Sequence, residues 1–158
     1  MKLEFILNGK KVSRDIPADT MLLDLLRELG CYSVKRGCET TNCGMCTVLA
    51  EGKPILSCAT PAMRIYGKHI TTLEGLQKEA EEFAGFMADQ GADQCGFCNP
   101  GFVMNVLAMM RELTDEELTE NNIKAYLAGN LCRCTGFMSQ HRAIAEFIKH
   151  KKNGGDNA

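Results

Sequence analysis

The ten residues GCETTNCGMC, at positions 37–46, place three cysteines so close together that their sulfur atoms must converge. These cysteines follow the spacing C-x4-C-x2-C, and a fourth, Cys58, comes after eleven intervening residues. Gly37 and Gly44 lie in the same stretch, and glycine tolerates left-handed backbone and close approach to a ligand. The stretch therefore predicts a loop that curls around a metal centre, with its backbone N–H groups turned toward the sulfurs.

A second group of four cysteines follows C-x2-C, a gap of thirty-three residues, and then C-x-C. The two sets are Cys38, Cys43, Cys46 and Cys58, and then Cys95, Cys98, Cys132 and Cys134. The first spacing is typical of the plant-type ferredoxin 2Fe-2S site, and each set supplies four thiolates, two for each iron. Eight of the nine cysteines are used in this way. The sequence thus predicts two 2Fe-2S clusters and a role in electron transfer.

Disulfides and zinc are the alternative uses of so many cysteines. The opening residues MKLEFILNGKKV lack the charged start and apolar core of a signal peptide. We therefore expect a cytoplasmic protein, in which such cysteines bind metal more often than they form disulfides. Zinc sites favour two to four residues between paired cysteines, and the Cys132–Cys134 pair is tighter than that. Two alternatives stay open: a freestanding 2Fe-2S electron carrier, and a zinc-stabilised interaction module without a redox role.

Cys31 belongs to neither set. It follows an apolar helical run of leucines, which favours a buried packing residue over a metal ligand.

The composition excludes two classes of partner. The chain has 158 residues, is 45% hydrophobic and carries a net charge of −2, with no basic stripe that would bind nucleic acid. No apolar run has the length of a membrane span, so no membrane partner is expected. The two cysteine sets lie in halves with different sequence patterns, the first typical of strands and the second typical of helices. This difference predicts two small domains, residues 1–75 and 76–158.

The first half is expected to be a small mixed sheet with one helix. Leu3, Phe5 and Leu7 alternate with Glu4, Ile6 and Asn8. Asn8-Gly9 then favours a tight hairpin into a strand over 11–16. Asp19 or Thr20 could cap a helix that ends near Leu29. Residues 47–50 and 53–58 flank Glu51-Gly52 as a second hairpin. The order is compatible with a β-grasp, ferredoxin-like domain.

The second half is expected to be a four-helix bundle, which makes the fold class α+β. Helices are predicted over 77–90, from Pro100 to about 113, from a capping box at 114–117 to about 129, and over 139–149. The second cysteine set would then lie in two turns between helices. Two of the helices begin beside those cysteines, so their positive ends can face an anionic cluster. Met104, Met109 and Met110 are predicted to fill the core.

Four stretches together resemble one family. Residues 94–101, QCGFCNPG, resemble QCGFCTPG, and residues 129–137, GNLCRCTGF, resemble GNLCRCTGY, of the iron-sulfur subunit of the xanthine dehydrogenase family of molybdenum hydroxylases. Residues 43–48, CGMCTV, resemble its CGACTV stretch, and residues 72–76 resemble the segment that joins its two domains. The resemblance covers nearly the whole chain.

The resemblance implies an electron-transfer subunit of a multisubunit oxidoreductase. Its partners would be a large molybdopterin-binding subunit, where substrate reacts, and a medium FAD-binding subunit. Electrons would leave molybdenum through the cluster of the second cysteine set and pass through that of the first toward FAD. The substrate class expected is purines or other N-heterocycles. Gln94 matches the family position that contacts the pterin at the subunit boundary.

Three residues depart from the family pattern. Thr41 stands where the family loop has glycine, so we expect that turn to adopt another φ or a shifted bend. Asn99 replaces a threonine, and Gln140 stands where an apolar residue often faces the helical core. Neither Asn99 nor Gln140 is expected to touch a ligand.

Overall fold

A computed structural model describes residues 1–154 of the chain, so the last four residues of the predicted range 76–158 lie outside the described part. The strands are β1 (Lys2–Leu7), β2 (Lys10–Asp15), β3 (Thr47–Ala50), β4 (Lys53–Leu56) and β5 (His69–Thr71). The helices are α1 (Leu22–Glu28), α2 (Gln77–Asp89), α3 (Asn99–Glu112), α4 (Glu120–Tyr126) and α5 (Met138–Lys152). Short 3-10 turns span Ser57–Ala59, Ala62–Ile65 and Leu73–Gly75. The α+β class is confirmed.

The five strands form one mixed sheet in the order β2-β1-β5-β3-β4. β1 pairs antiparallel with β2 and parallel with β5, and β3 pairs antiparallel with β5 and β4. Both predicted hairpins are present. In the first, Asn8 and Gly9 have φ of 49° and 79°, the two left-handed residues that a twisted two-residue hairpin turn requires.

Helix α1 packs its leucines against this sheet. Leu22, Leu23, Leu25 and Leu26 are buried with the inward residues of β1 and β5, and Cys31 lies in the same core at 5% exposure. Neither Asp19 nor Thr20 caps the helix, which begins after Met21 without a side-chain cap. Its first N–H group, on Leu22, instead donates to the Thr60 carbonyl at 2.8 Å, because the chain at 60–62 lies beside the helix start.

The second half contains the four predicted helices around an aromatic core. The Phe83 ring lies 5.1 Å from that of Phe147 and 6.2 Å from that of Phe102. The predicted start of the third helix was wrong. The Thr114 N–H donates to the Glu117 carboxylate at 2.8 Å, but this contact closes an isolated turn. Helix α4 begins later, where the Thr119 hydroxyl accepts from the Asn122 N–H.

The two halves pack directly on each other through β3 and α3. Leu49 of the sheet forms a small buried cluster with Met104 and Ala108 of α3. Gly44 and Gly101 make this approach possible, because a Cβ on Gly101 would lie 2.3 Å from the Gly44 carbonyl oxygen. The cysteine-rich loop of the first half therefore rests on the first turn of α3. Whether residues 1–75 and 76–158 are independent domains remains a prediction.

None of the helices within residues 1–154 has the length and apolar character that crossing a membrane requires.

Candidate metal centres

The first cysteine set comes together as two sulfur pairs. The Cys38 thiol contacts Cys43, and the Cys46 thiol contacts Cys58. The pairs are near enough that Cys58 also interacts electrostatically with Cys38 and Cys43. The loop after α1 supplies three of these residues, and the 3-10 turn Ser57–Ala59 supplies the fourth.

Backbone N–H groups point at the sulfur of Cys38. Those of Asn42, Thr40 and Cys43 hydrogen-bond it and, with the Cys43 thiol, lower the pKa of Cys38 to about 6. Burial acts in the opposite direction on Cys58, whose pKa is raised to about 12 by desolvation and by the neighbouring Cys46. Hydrogen-bond donors that favour thiolate over thiol are what a loop needs to stabilise an anionic metal cluster.

Thr41 adopts the left-handed backbone conformation that glycine favours. Its φ is 57°, so the expectation of another φ was wrong. A β-branched residue is strained in this left-handed region. This strained residue lies in the turn whose Thr40, Asn42 and Cys43 N–H groups hydrogen-bond the Cys38 sulfur.

The second cysteine set also forms two sulfur pairs. The Sγ atoms of Cys95 and Cys134 lie 3.6 Å apart, and the Cys98 thiol contacts Cys132. Cys98 is buried, and desolvation followed by the Cys132 contact raises its pKa to about 11. Cys95 and Cys134 are exposed, so one pair faces inward and the other faces the surface.

Two polar side chains that the motifs did not identify as site residues reach this second set. The Thr135 hydroxyl donates to the Cys132 sulfur at 3.2 Å and, although burial opposes it, helps to lower the pKa of Cys132. The buried Gln140 amide nitrogen lies 3.8 Å from the sulfur of Cys98, a predicted ligand, so the expectation that Gln140 does not touch a ligand was wrong. Thr135 could have been found from its place beside the C-x-C pair. For Gln140, the only signal in the sequence was a polar residue at a position where an apolar one is expected.

A backbone hydrogen bond joins the two cysteine sets. The Leu131 N–H donates to the Cys43 carbonyl at 3.0 Å, and Leu131 is covalently bonded to Cys132. Nearby, the Lys35 ammonium contacts the Phe97 carbonyl at 3.3 Å and lies 4.8 Å from the centre of the Phe97 ring. A cysteine of the first set is therefore separated from one of the second by a single hydrogen bond and one intervening residue.

The turns that carry Cys95 and Cys134 expose polar side chains, among them Arg133, as well as large apolar ones. The exposed large apolar side chains there are Phe97, Leu131, Phe137 and Met138. We call these four residues the apolar rim. Gln94 is exposed immediately before Cys95, at the same surface. Asn99 is the first residue of α3, and its amide nitrogen donates to the Asp93 carboxylate at 3.0 Å, so this departure from the family pattern braces the turn that carries Cys95 and Cys98. Its Oδ1 atom accepts from the Cys98 thiol at 3.8 Å, so the expectation that Asn99 does not touch a ligand was wrong as well.

The donor sets fit 2Fe-2S clusters, which need four thiolates arranged as two for each iron. Each set consists of two contacting sulfur pairs, and hydrogen-bond donors surround Cys38 and Cys132. Each iron of such a cluster takes only two protein sulfurs, and within residues 1–154 no group of three or more His, Cys, Asp or Glu side chains is arranged around one position, as a zinc ion would require.

Two protein families match adjacent parts of the chain. Residues 5–71 match a family described as a 2Fe-2S iron-sulfur cluster binding domain, and residues 72–145 match a family described as a [2Fe-2S] binding domain.

Relatives match over nearly the full length. The xanthine dehydrogenase iron-sulfur-binding subunit of Escherichia coli O157:H7 is 44% identical, over 94% of this chain and 95% of that protein. The nicotinate dehydrogenase small FeS subunit of Eubacterium barkeri is 36% identical, over 93% and 94%. A chain in the crystal structure of quinoline 2-oxidoreductase from Pseudomonas putida 86 has a TM-score of 0.86 and 31% identity, with 99% and 98% coverage. The protein therefore belongs to the family of 2Fe-2S iron-sulfur subunits of xanthine dehydrogenase-type molybdenum hydroxylases, and it is a component of an oxidoreductase.

Proposed function

We propose that this chain relays electrons from a molybdopterin-binding subunit, through two 2Fe-2S clusters, toward an FAD-binding subunit. The hydrogen bond between the Leu131 N–H and the Cys43 carbonyl carries this proposal, because it links the two ligand sets directly. A carrier with a single centre would not need two such sets in contact. When bound, each cluster supplies a site that accepts and releases one electron.

The residues of the chain hold and tune these sites. Cys38, Cys43, Cys46 and Cys58 would ligate the first cluster, and Cys95, Cys98, Cys132 and Cys134 the second. The N–H groups around Cys38 and the Thr135 hydroxyl beside Cys132 stabilise negative charge on sulfur. The packing of Gly44 against Gly101 holds the first cluster loop beside the turns of the second set.

The second set lies at the surface that a partner would cover. Cys95 and Cys134 are exposed, and each residue of the apolar rim lies within four positions of one of them in the chain. Exposed apolar side chains grouped in this way mark a protein interface. We assign the molybdopterin-binding subunit to this face, with Gln94 as a contact to the pterin at the boundary. The second set would then receive electrons first, and the first set would deliver them toward FAD.

The names of some relatives support a substrate class for the complex. Xanthine, nicotinate and quinoline are all N-heterocycles, whereas other relatives, at 35–37% identity, are aldehyde oxidases. The relative at 44% identity over nearly the full length is a xanthine dehydrogenase subunit, which favours the N-heterocycles. We therefore propose that the complex oxidises a purine or another N-heterocycle in its large subunit. We place it in the cytoplasm, where reducing conditions keep cysteine thiols available as ligands.

The test is to purify the complex through a tag on this chain and to identify its subunits and cofactors. We expect a large subunit with molybdopterin, a medium subunit with FAD, and four irons with four acid-labile sulfides on this chain. Anaerobic addition of hypoxanthine, nicotinate or quinoline should bleach the iron-sulfur absorption for at least one compound. A chain recovered alone with its clusters would instead indicate a freestanding carrier, and stoichiometric zinc without labile sulfide would indicate an interaction module.

The order of transfer can be tested with two matched variants. Serine replaces a soft thiolate by a harder oxygen, which impairs an iron-sulfur ligand. In Cys134→Ser we expect substrate to reduce molybdenum but not FAD. In Cys46→Ser the second cluster should still be reduced by substrate, while its electrons no longer reach FAD. Rapid-freeze paramagnetic spectra distinguish these outcomes. If Cys46→Ser abolished substrate reduction of an intact second cluster, the proposed order would be reversed.

A further inference from the structure

Gln140 is a buried polar residue whose amide has one partner and one unpaired end. It lies in the first turn of α5 and is 2% exposed. Its Nε2 atom lies 3.8 Å from the Sγ atom of Cys98, a distance at which a large sulfur atom can accept a hydrogen bond. Its Oε1 atom is buried and has no hydrogen-bond partner among the described residues.

The orientation of this amide follows from charge. A ligating Cys98 carries a thiolate, which attracts the N–H end of the amide and repels the carbonyl end. The inward N–H group leaves the carbonyl oxygen without a partner, and burying an unpaired acceptor destabilises the fold. An apolar side chain, which the family often has here, would carry no such penalty. The burial of this unpaired carbonyl oxygen is therefore best explained by the hydrogen bond that the N–H group donates to the Cys98 sulfur.

We propose that Gln140 raises the reduction potential of the second cluster by donating an N–H···S hydrogen bond to Cys98. Reduction adds one electron and so increases the negative charge shared by the cluster and its thiolates. A hydrogen bond to a ligand sulfur stabilises the more negative state more strongly, and hydrogen bonds to sulfur are among the factors that set cluster potentials. Because Cys98 is buried, water does not screen this contact as it would at the exposed Cys95 or Cys134.

The inference rests on the proposed function, since it takes Cys98 as a cluster ligand. It adds that Gln140 is a positioning residue that makes the second cluster a better acceptor for electrons arriving from the partner. Gln140 lies one helical turn before Ile144, a buried residue on the same side of α5. A change at Ile144 therefore perturbs the same helix and core without altering the amide.

The experiment is an anaerobic redox titration of the full chain in its complex, followed by paramagnetic spectra of both clusters. Gln140→Met keeps an unbranched side chain of similar length and removes the donor. We expect the equilibrium constant for reduction of the second cluster to fall by about threefold to tenfold, where tenfold corresponds to about 59 mV for a one-electron couple. The first cluster is an internal control and should not shift. Ile144→Met should shift neither cluster.

Each outcome decides the inference. A second-cluster potential that is unchanged or higher in Gln140→Met would overturn it, as would an equal shift in Ile144→Met. If Gln140→Met fails to assemble the second cluster, Gln140→Leu makes the same test with an apolar side chain. Loss of that cluster in both variants, with unchanged thermal unfolding, would assign Gln140 to assembly and refute a role in setting the potential. Absence of any 2Fe-2S signal in the wild-type complex would instead refute the proposed function.

Discussion

The close approach of Gly44 and Gly101 leads to a prediction in which one substitution has opposite effects at two helix positions. Alanine is favoured over glycine inside a helix by about 1 kcal/mol. In Gly85→Ala, at an exposed position of α2, the new Cβ meets nothing within 4 Å. We therefore expect Gly85→Ala to stabilise the chain by about 0.5–1 kcal/mol.

Gly101→Ala should do the reverse, because its Cβ would lie 2.3 Å from the Gly44 carbonyl oxygen and 2.8 Å from the Met45 Cα, where ordinary contact begins at 3.4 Å. Backbone must then move by about 1 Å, and overpacking of this kind costs about 3 kcal/mol at the upper end of its usual range. After the gain in helix propensity, a net loss of about 2 kcal/mol remains.

Thermal unfolding, followed by far-UV circular dichroism and by cluster absorption at one fixed scan rate, measures both variants. For a chain of this size, 1 kcal/mol shifts the midpoint by about 2–4 °C. Gly85→Ala should therefore rise by about 1–4 °C, and Gly101→Ala should fall by about 4–8 °C. If both variants shifted upward together, α3 would not rest on the cluster loop as described, and the reasoning would fail.

Three further predictions follow from single residues. Thr41→Gly relieves about 1–2 kcal/mol of left-handed strain and loses about 0.5–1 kcal/mol to unfolded-state freedom, so the unfolding midpoint should rise slightly. In the metal-free chain, Cys38 has its pKa lowered to about 6, so its alkylation by iodoacetamide, followed by mass spectrometry, should rise through pH 6 and level off above it. Cys58, with its pKa raised to about 12, should stay slow to beyond pH 9; equal pH profiles for the two thiols would contradict the described loop. Cys31→Ala should retain both paramagnetic signals and lose about 1 kcal/mol of stability, and disappearance of either signal would mean that the ligand sets are wrong.

Local sequence patterns predicted the elements well where one local signal determines the structure. The Asn8-Gly9 hairpin, the leucine face of α1 and the placement of Cys98 at the start of α3 all depend on residues close together in the chain. The start of α4 was misplaced because Thr114 and Thr119 both offer capping contacts, and the sequence does not show which turn continues into a helix.

The contacts that the sequence did not predict join residues far apart in the chain. The resemblance placed glycine in the family at position 41, but only the backbone shows that Thr41 keeps φ at 57°. The Leu131–Cys43 hydrogen bond joins residues that lie 88 positions apart in the chain (131 − 43 = 88). Gln140 and Cys98 belong to different helices, and their contact depends on how those helices pack. No local pattern encodes such pairs.

The contact between β3 and α3 also has a consequence for how the protein is made. A ribosome releases Leu49 and the loop around Gly44 well before it releases Gly101, Met104 and the chain near Asn130 that cover them. Nascent domains generally fold from the N-terminus onward. In this chain, however, the first half is not packed against α3 and the chain near Asn130 until the second half has left the ribosome. We therefore expect the first cluster loop to reach its final packing only near the end of translation, so that delivery of iron and sulfide to the early half competes with its exposure to other cellular thiols and proteases.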